Sequence, residues 1–138
     1  MIVFDSSVAL KWVFNHEEGA SQALALRNAH ISGETELVVP TLFFYEIANV
    51  LATKVQLAAA EARRVFELFA DFELVVHDLD RDEYLSAMDI SARYRVSVYD
   101  ATYLVLAQRL KCYFITADRK FIEKVDHLGV AKLLSGEC

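Results

Sequence analysis

The chain has little cysteine and no long apolar run. Its two cysteines, Cys112 and Cys138, stand far apart, and neither belongs to a C-x-x-C pair. This spacing excludes a disulfide scaffold and a cysteine zinc site, and it is typical of reduced thiols. The longest apolar candidate, "VVPTLFFYEIANVLA", is interrupted by Pro40 and Glu46 and is too short to cross a membrane. We therefore expect no membrane segment.

The chain also lacks positive charge. It carries 14 Lys and Arg against 20 Asp and Glu, a net charge of −6. Phosphate contacts need basic side chains, so this balance alone argues against a nucleic-acid-binding protein. It does not exclude one, because a metal site must be acidic and a basic rim can be local. The first residues, "MIVFDSSVAL", have no basic start. We therefore expect no signal peptide and a cytoplasmic protein.

The length and composition predict one globular domain over residues 1–138. The chain is 55% hydrophobic and 25% charged, with no repeat, low-complexity tract or linker. Apolar runs alternate with helical patterns. The runs show no in-and-out alternation, as expected when both faces of a sheet are covered. We therefore predict a three-layer α/β/α domain with a mainly parallel sheet of about five strands. The predicted strands are "MIVF", "ELVVP", "ELVVHD", "CYFIT" and "VAKLL".

Several acidic residues fall where a parallel sheet places its ligands, outside the carboxyl ends of the strands. Asp5 ends the first strand, and Thr116 and Asp118 follow the fourth. Asp100 heads the apolar helix that leads into the fourth strand. Glu46 lies inside the long helix "TLFFYEIANVLATKVQ", which Thr41 is expected to cap.

Each of these acids also has a purely structural explanation. The three aspartates are all at positions where Asp caps helices, and Glu46 lies on a helix face of mixed polarity. Together, however, four carboxylates at one sheet edge would repel each other. A divalent cation removes that repulsion, and an all-oxygen ligand set suits Mg²⁺ or Mn²⁺. Such an ion accepts phosphate oxygens and activates water, which points to phosphate chemistry.

Four stretches give the chain a resemblance to a known family. They are "IVFDSSVALKWV", "YEIANVL", "SVYDATYLVLA" and "FITADRKF". In this order and at this length they resemble the PIN-domain nucleases, and within them the VapC-like ribonuclease toxins. The resemblance implies an endoribonuclease that binds Mg²⁺ or Mn²⁺ through Asp5, Glu46, Asp100 and Asp118. It also implies that the hydroxyls of Ser7 and Thr116 position ligands or water, and that the protein is a homodimer neutralised by a small antitoxin.

Basic side chains near these acids are candidates for contacts with the RNA backbone. Those on adjoining elements are Lys11, Arg93, Arg95, Arg109, Arg119 and Lys120. Lys120 stands where some family members carry a further acid, so the number of metal ions stays open, and Lys120 is a candidate for a phosphate contact instead. For any one of these basic residues a solubilising role is equally plausible.

Two other functions fit an acidic Mg²⁺ pocket on an α/β sheet. The first is a receiver-like phosphoacceptor module, which generally needs an adjacent acidic pair after the first strand. Here Asp5 is followed by Ser6 and Ser7, which argues against it. The second is a PIN module that binds RNA or protein without cleaving it.

Overall fold

A computed structural model describes residues 1–16 and 18–134. Five strands form one parallel sheet in the order β3-β2-β1-β4-β5. The central strand β1 pairs with β2 on one side and with β4 on the other. Cys138 lies outside the described residues. The strands are β1 (Ile2–Phe4), β2 (Leu37–Val39), β3 (Val75–Val76), β4 (Tyr113–Thr116) and β5 (Ala131–Leu133).

Both faces of the sheet are covered. Consecutive side chains on a strand point to opposite faces. Leu37, Val38 and Val39 of β2 are all fully buried, and so are Val3 and Phe4 of β1. A strand can be buried at every position only if helices cover both faces, so the predicted three-layer arrangement is confirmed.

The helices account for the chain between the strands. The sheet is flanked most closely by α6, which packs on β1 and β4 and is itself covered by α5. None of the helices in the described part of the chain is long and apolar enough to span a membrane. The helices are α1 (Ser6–Ala9), α2 (Ala20–Ile31), α3 (Leu42–Thr53), α4 (Ala59–Ala70), α5 (Arg81–Tyr94), α6 (Val98–Leu110) and α7 (Arg119–Val125).

Two helix starts differ from the sequence prediction. The stretch "EEGASQALALRNAH" predicts a second helix from residue 17 onward, but α2 begins at Ala20, and residue 17 lies outside the described residues. Gly19 has a left-handed φ of +85°, which ends any helical path from the preceding residues. Thr41 does not cap α3 with its side chain. Its hydroxyl and its N–H both donate to the carboxylate of Asp78, each at 2.7 Å.

Aromatic side chains fill the space beside β1. Trp12 stacks between Phe4 and Phe69, with ring centroids 5.4 and 5.9 Å away. Its indole N–H donates to the carbonyl of Ala23 at 2.8 Å. Phe43 is fully buried against the same cluster. These rings pack α3 and α4 against the end of β1.

Candidate active site

The end of β1 meets the end of β4 at the carboxyl edge of the sheet. The two strands are paired so that Phe4 lies opposite Ile115. The next residues along each strand, Asp5 and Thr116, are therefore neighbours. The Thr116 hydroxyl donates to Asp5 Oδ2 at 2.6 Å. Only 7% of Asp5 and 1% of Thr116 is exposed, so this contact is shielded from solvent.

Ser7 completes the hydrogen bonding around Asp5. Its hydroxyl donates to Asp5 Oδ1 at 2.5 Å, and its N–H donates to the same oxygen at 3.1 Å. Asp5 is thus the N-cap of α1, as its sequence position allowed. The Ser7 hydroxyl also accepts from the N–H of Ala117 at 3.1 Å. Ser7 and Thr116 therefore tie Asp5 to the loop that follows β4.

Asp118 lies on that loop and begins α7. Its side chain accepts from the N–H of Phe121 at 3.1 Å and so caps the helix. Its own N–H donates to the Thr116 hydroxyl at 3.2 Å. Unlike Asp5, Asp118 is exposed, so its carboxylate is accessible to a ligand from solvent.

Asp100 is not a helix cap. Ser97 caps α6, and its hydroxyl accepts from the N–H of Asp100 at 3.0 Å. Asp100 is the third residue of the helix, where the helix dipole favours a negative charge. Its side chain is therefore not needed to cap α6. The expectation that it caps the first turn was wrong, because Ser97 already fills that role.

Glu46 approaches from α3. One of its carboxylate oxygens, Oε1, accepts from the hydroxyl of Tyr103 at 2.5 Å. Glu46 is half-buried, although the sequence placed it on a helix face of mixed polarity.

Burial and mutual repulsion act on three of these acids. Burial raises the pKa of Asp5 to about 6, and the charge of Asp100 adds to the rise, while the Ser7 and Thr116 hydroxyls oppose it. Burial also raises the pKa of Glu46, helped by Asp5 and Asp100. For Asp100 the pKa rises because of burial and the charge of Asp118. All four predicted acids therefore share one electrostatic environment.

The donors present suit a hard cation. Within residues 1–16 and 18–134, no three His, Cys, Asp or Glu side chains stand close enough to form a ready-made ligand set. Mg²⁺ does not require one, because it is commonly bound through one or two carboxylates and keeps several waters. Each oxygen of Asp5 accepts hydrogen bonds but has a second lone pair. Asp5 and Asp100 thus fit a cation that would also offset their repulsion.

The comparison with protein-family models decides the family. The model described as the PIN domain matches residues 2–128. The chain belongs to the PIN-domain family. This confirms the resemblance drawn from the four sequence stretches, and it removes the receiver-like alternative.

Named relatives of this PIN domain include ribonucleases. It is 32% identical over 121 residues to Ribonuclease VapC9 of Mycobacterium tuberculosis, and the aligned region covers 86% of each chain. It is 31% identical over 128 residues to Ribonuclease VapC3 of Pyrobaculum aerophilum, which covers 89% of this chain and 93% of the relative. The match to VapC proteins agrees with the resemblance found in the sequence.

Solved structures show the same fold. A chain of a toxin–antitoxin complex from Klebsiella pneumoniae has a TM-score of 0.70 and 13% identity, with 97% of this PIN domain and 98% of that chain covered. A protein from Pyrobaculum aerophilum has a TM-score of 0.68 and 20% identity, with coverage of 96% and 88%. At these identities the likeness concerns the fold.

Three of the predicted RNA-contacting residues flank the acidic site closely in the chain. Arg119 and Lys120 open α7 directly after Asp118, and both are exposed. Arg119 lies 3.8 Å from Glu18, a contact between two well-exposed side chains that is weak in water. Lys11 lines a groove of about 450 Å³ together with Ser7 and Phe14, so this groove begins at the acidic site.

Two further predicted RNA contacts, Arg93 and Arg95, lie on α5 and in the turn after it. Arg95 is exposed in the turn before Ser97, and its carbonyl accepts from the Lys124 ammonium at 2.8 Å. Arg93 lines a separate hollow with Asp89.

Arg109 does not belong to a rim around the acids. It lies at the opposite end of α6 from Asp100 and forms a 2.6 Å ion pair with Glu83.

Sequence reasoning missed two residues of the site. Tyr103 bonds Glu46, and Ser97 sets the start of the helix that carries Asp100. Tyr103 follows Asp100 by three residues, so the two share one side of the helix. A tyrosine within an almost wholly apolar helix is itself a signal, because a buried phenol needs a hydrogen-bond partner.

Proposed function

We propose that this protein is a metal-dependent endoribonuclease and the toxin of a toxin–antitoxin pair. The observation that carries the proposal is the shared environment of Asp5, Glu46, Asp100 and Asp118 at the carboxyl edge of β1 and β4. The PIN family match and relatives named as ribonucleases support RNA as the substrate.

Each residue of this site has a separate proposed role. Asp5 and Asp100 would hold Mg²⁺ or Mn²⁺ directly, with Glu46 and Asp118 completing the pocket. When bound, the cation would supply a more acidic water and polarise the scissile phosphate. Ser7 and Thr116 keep the Asp5 carboxylate in place through their hydroxyls. Exposed basic residues beside the site, Lys120 above all, would contact the RNA backbone.

Cleavage of a mixed panel of structured and unstructured RNAs tests the proposal. The reactions contain Mg²⁺, Mn²⁺ or EDTA, and the Asp100→Asn protein serves as the contamination control. We expect cleavage that requires the metal and that Asp100→Asn abolishes. Arg109→Gln is a matched surface variant, since Arg109 is remote from Asp100, and it should cleave like wild type.

The opposite outcome would favour a binding module. If the folded, metal-replete protein cleaves none of the RNAs, or if Asp100→Asn cleaves equally well, the nuclease proposal fails. A PIN scaffold that binds RNA or protein without cleavage is then the better account.

An antitoxin partner and a cytoplasmic setting belong to the same proposal. One solved neighbour is described as a toxin–antitoxin complex, which supports a protein partner for this chain. A groove of about 260 Å³ lies between α2 and α4, with the apolar side chains of Ile31 and Leu68 exposed beside it. Arg27 lines this groove, and its buried Nε has no hydrogen-bond partner. We assign this groove to an apolar antitoxin segment that carries an acceptor for Arg27.

Homodimer formation, also implied by the resemblance, has a candidate surface on α5. Tyr84, Leu85 and Met88 lie on one face of that helix, and each is about half exposed. Covering them would remove apolar area from water. Sedimentation of the wild type should give a dimer, and Met88→Glu should give a monomer with an unchanged circular dichroism spectrum. A wild-type monomer at high concentration contradicts the assignment.

A further inference from the structure

The hydroxyl of Tyr103 is the only polar atom of a side chain that is otherwise part of the core. No part of Tyr103 is exposed. Its ring stacks on Phe114 of β4, with the centroids 5.3 Å apart and the planes within 12° of parallel. The ring is therefore held by packing, and the direction of its hydroxyl is set by the core.

That hydroxyl is directed at Glu46. The phenol oxygen lies 2.5 Å from Glu46 Oε1 and donates a hydrogen bond to it. A phenol that donates to a carboxylate stabilises its ionised form and fixes its orientation. One oxygen of Glu46, Oε1, accepts from Tyr103, so the core sets the position of this carboxylate.

The same helix carries Asp100. Tyr103 lies one turn after Asp100 on α6, while Glu46 belongs to α3. The hydrogen bond therefore links the two helices that supply these acids. The charges of Asp5 and Asp100 both act on Glu46, and both are negative. Without the phenol, repulsion from Asp5 and Asp100 would act on a flexible side chain.

We propose that Tyr103 is the positioning residue of the site: its buried hydroxyl holds Glu46 in the orientation in which Glu46 binds the metal ion. The inference rests on the proposed function, because it takes Glu46 as part of the metal pocket. Tyr103 does not touch substrate or reacting atoms. It acts through Glu46, in the way that outer hydrogen-bond partners orient metal ligands.

The test is a metal titration of the RNA-free protein. Tyr103→Phe removes one oxygen and keeps the ring that stacks on Phe114. Mn²⁺ affinity, measured by electron paramagnetic resonance of the free ion, should fall by about tenfold or more. Tyr113→Phe is the matched control, because Tyr113 is 54% exposed at the other end of β4 and should bind Mn²⁺ like wild type. Thermal unfolding shows that each variant is folded.

A double-mutant cycle separates positioning from packing. In a Glu46→Gln background, Tyr103→Phe should cause little further loss of Mn²⁺ affinity, since the two residues act as one unit. Equal losses in both backgrounds would show that Tyr103 acts on the fold and would overturn the proposal.

The positioning proposal and the proposed function fail in different ways. If Tyr103→Phe binds Mn²⁺ like wild type while Asp100→Asn loses both Mn²⁺ and RNA cleavage, Tyr103 is a core residue only, and the nuclease assignment stands. If wild type itself binds no Mn²⁺ and cleaves no RNA, the metal site is wrong and the role of Tyr103 falls with it.

Discussion

Asp5 shows how far a single residue can be removed from its ordinary chemistry. It is buried at the end of a strand, and its hydrogen bonds come from hydroxyls and N–H groups. These donors offset only part of the cost of burying a charge, so its pKa rises from 3.8 to about 6. The residue suits a site in which a cation supplies the missing stabilisation.

This raised pKa predicts a pH dependence of stability for the metal-free protein. The native state holds the Asp5 proton more tightly than the unfolded state does. Stability from this group is therefore greatest below about pH 4, falls as the pH rises toward 6, and stays reduced above it. Asp5→Asn keeps a capping side chain and removes the charge. At pH 7 we expect Asp5→Asn to be more stable than wild type, with a free energy of unfolding about 1 to 3 kcal/mol higher.

Denaturant unfolding in EDTA at pH 4 and pH 7 measures the difference. At pH 4 the two proteins should be nearly equal, and Mg²⁺ at pH 7 should stabilise wild type more than Asp5→Asn. If Asp5→Asn is less stable than wild type at pH 7 in EDTA, the charged Asp5 carboxylate does not destabilise the metal-free native state, and the prediction is wrong.

Sequence reasoning identified the acids but not all of their contacts. Asp5 and Asp118 follow apolar strands, so the rule for parallel sheets placed them at one edge. The role of Ser97 was missed because both Ser97 and Asp100 are good capping residues, and the choice depends on where α6 begins. The partner of Glu46 was missed because Tyr103 is 57 residues away in sequence. The catalytic roles of Asp5, Glu46, Asp100 and Asp118 stay predictions.

At the scale of the element, α6 is the helix on which the site depends. Every residue from Ala101 to Ala107 is buried, because the helix is packed between α5 and the central strands. Its apolar character thus has a structural cause, and its first turn is the part that reaches the sheet edge. Ser97 fixes that turn by accepting the N–H of Asp100.

Removing the α6 cap should therefore affect both stability and cleavage. Ser97→Ala should lower the free energy of unfolding by about 1 kcal/mol. It should also lower RNA cleavage, because the turn that carries Asp100 loosens. Asp80→Ala is the matched control, since Asp80 caps α5 through the N–H of Glu83 at 2.9 Å. It should cost similar stability and leave cleavage unchanged.

Chemical denaturation and initial cleavage rates distinguish these results. If both variants lose cleavage in proportion to their stability, Ser97 contributes only to the fold. The prediction requires a loss of cleavage in Ser97→Ala that Asp80→Ala does not share.

The strands and helices were predicted from the sequence more accurately than their first and last residues were. Five apolar runs predicted five strands, because a strand buried on both faces leaves little room for polar residues. The second helix starts at Ala20, later than predicted, because Gly19 has a left-handed φ of +85° that a helix does not allow. The third strand shrinks to Val75–Val76 because it pairs only at the edge, with β2.

At the scale of the whole molecule, the groove between α2 and α4 is the surface assigned to the antitoxin. Leu68 is 64% exposed beside it, and the acidic site lies elsewhere, at the carboxyl edge of β1 and β4. Leu68→Asp should weaken antitoxin binding by tenfold or more (about 1.4 kcal/mol or more), with cleavage of RNA by the free protein unchanged.

Calorimetric titration with the cognate antitoxin gives the binding constant. Tyr113→Glu at the start of β4 is the control, because Tyr113 is 54% exposed and lies outside both this groove and the α5 surface, and the variant should leave antitoxin affinity within twofold. A Leu68→Asp protein that the antitoxin still binds and inhibits as it does wild type would assign the partner to another face.

The hydrogen bond from Thr116 to Asp5 joins residues 111 positions apart in the chain. During synthesis Asp5 therefore leaves the ribosome long before Thr116 does. Until β4 emerges and pairs with β1, Asp5 has no Thr116, and the loop carrying Asp118 does not exist beside it. The four acids of the proposed nuclease therefore cannot come together in a nascent chain until β4 and the loop after it have been made.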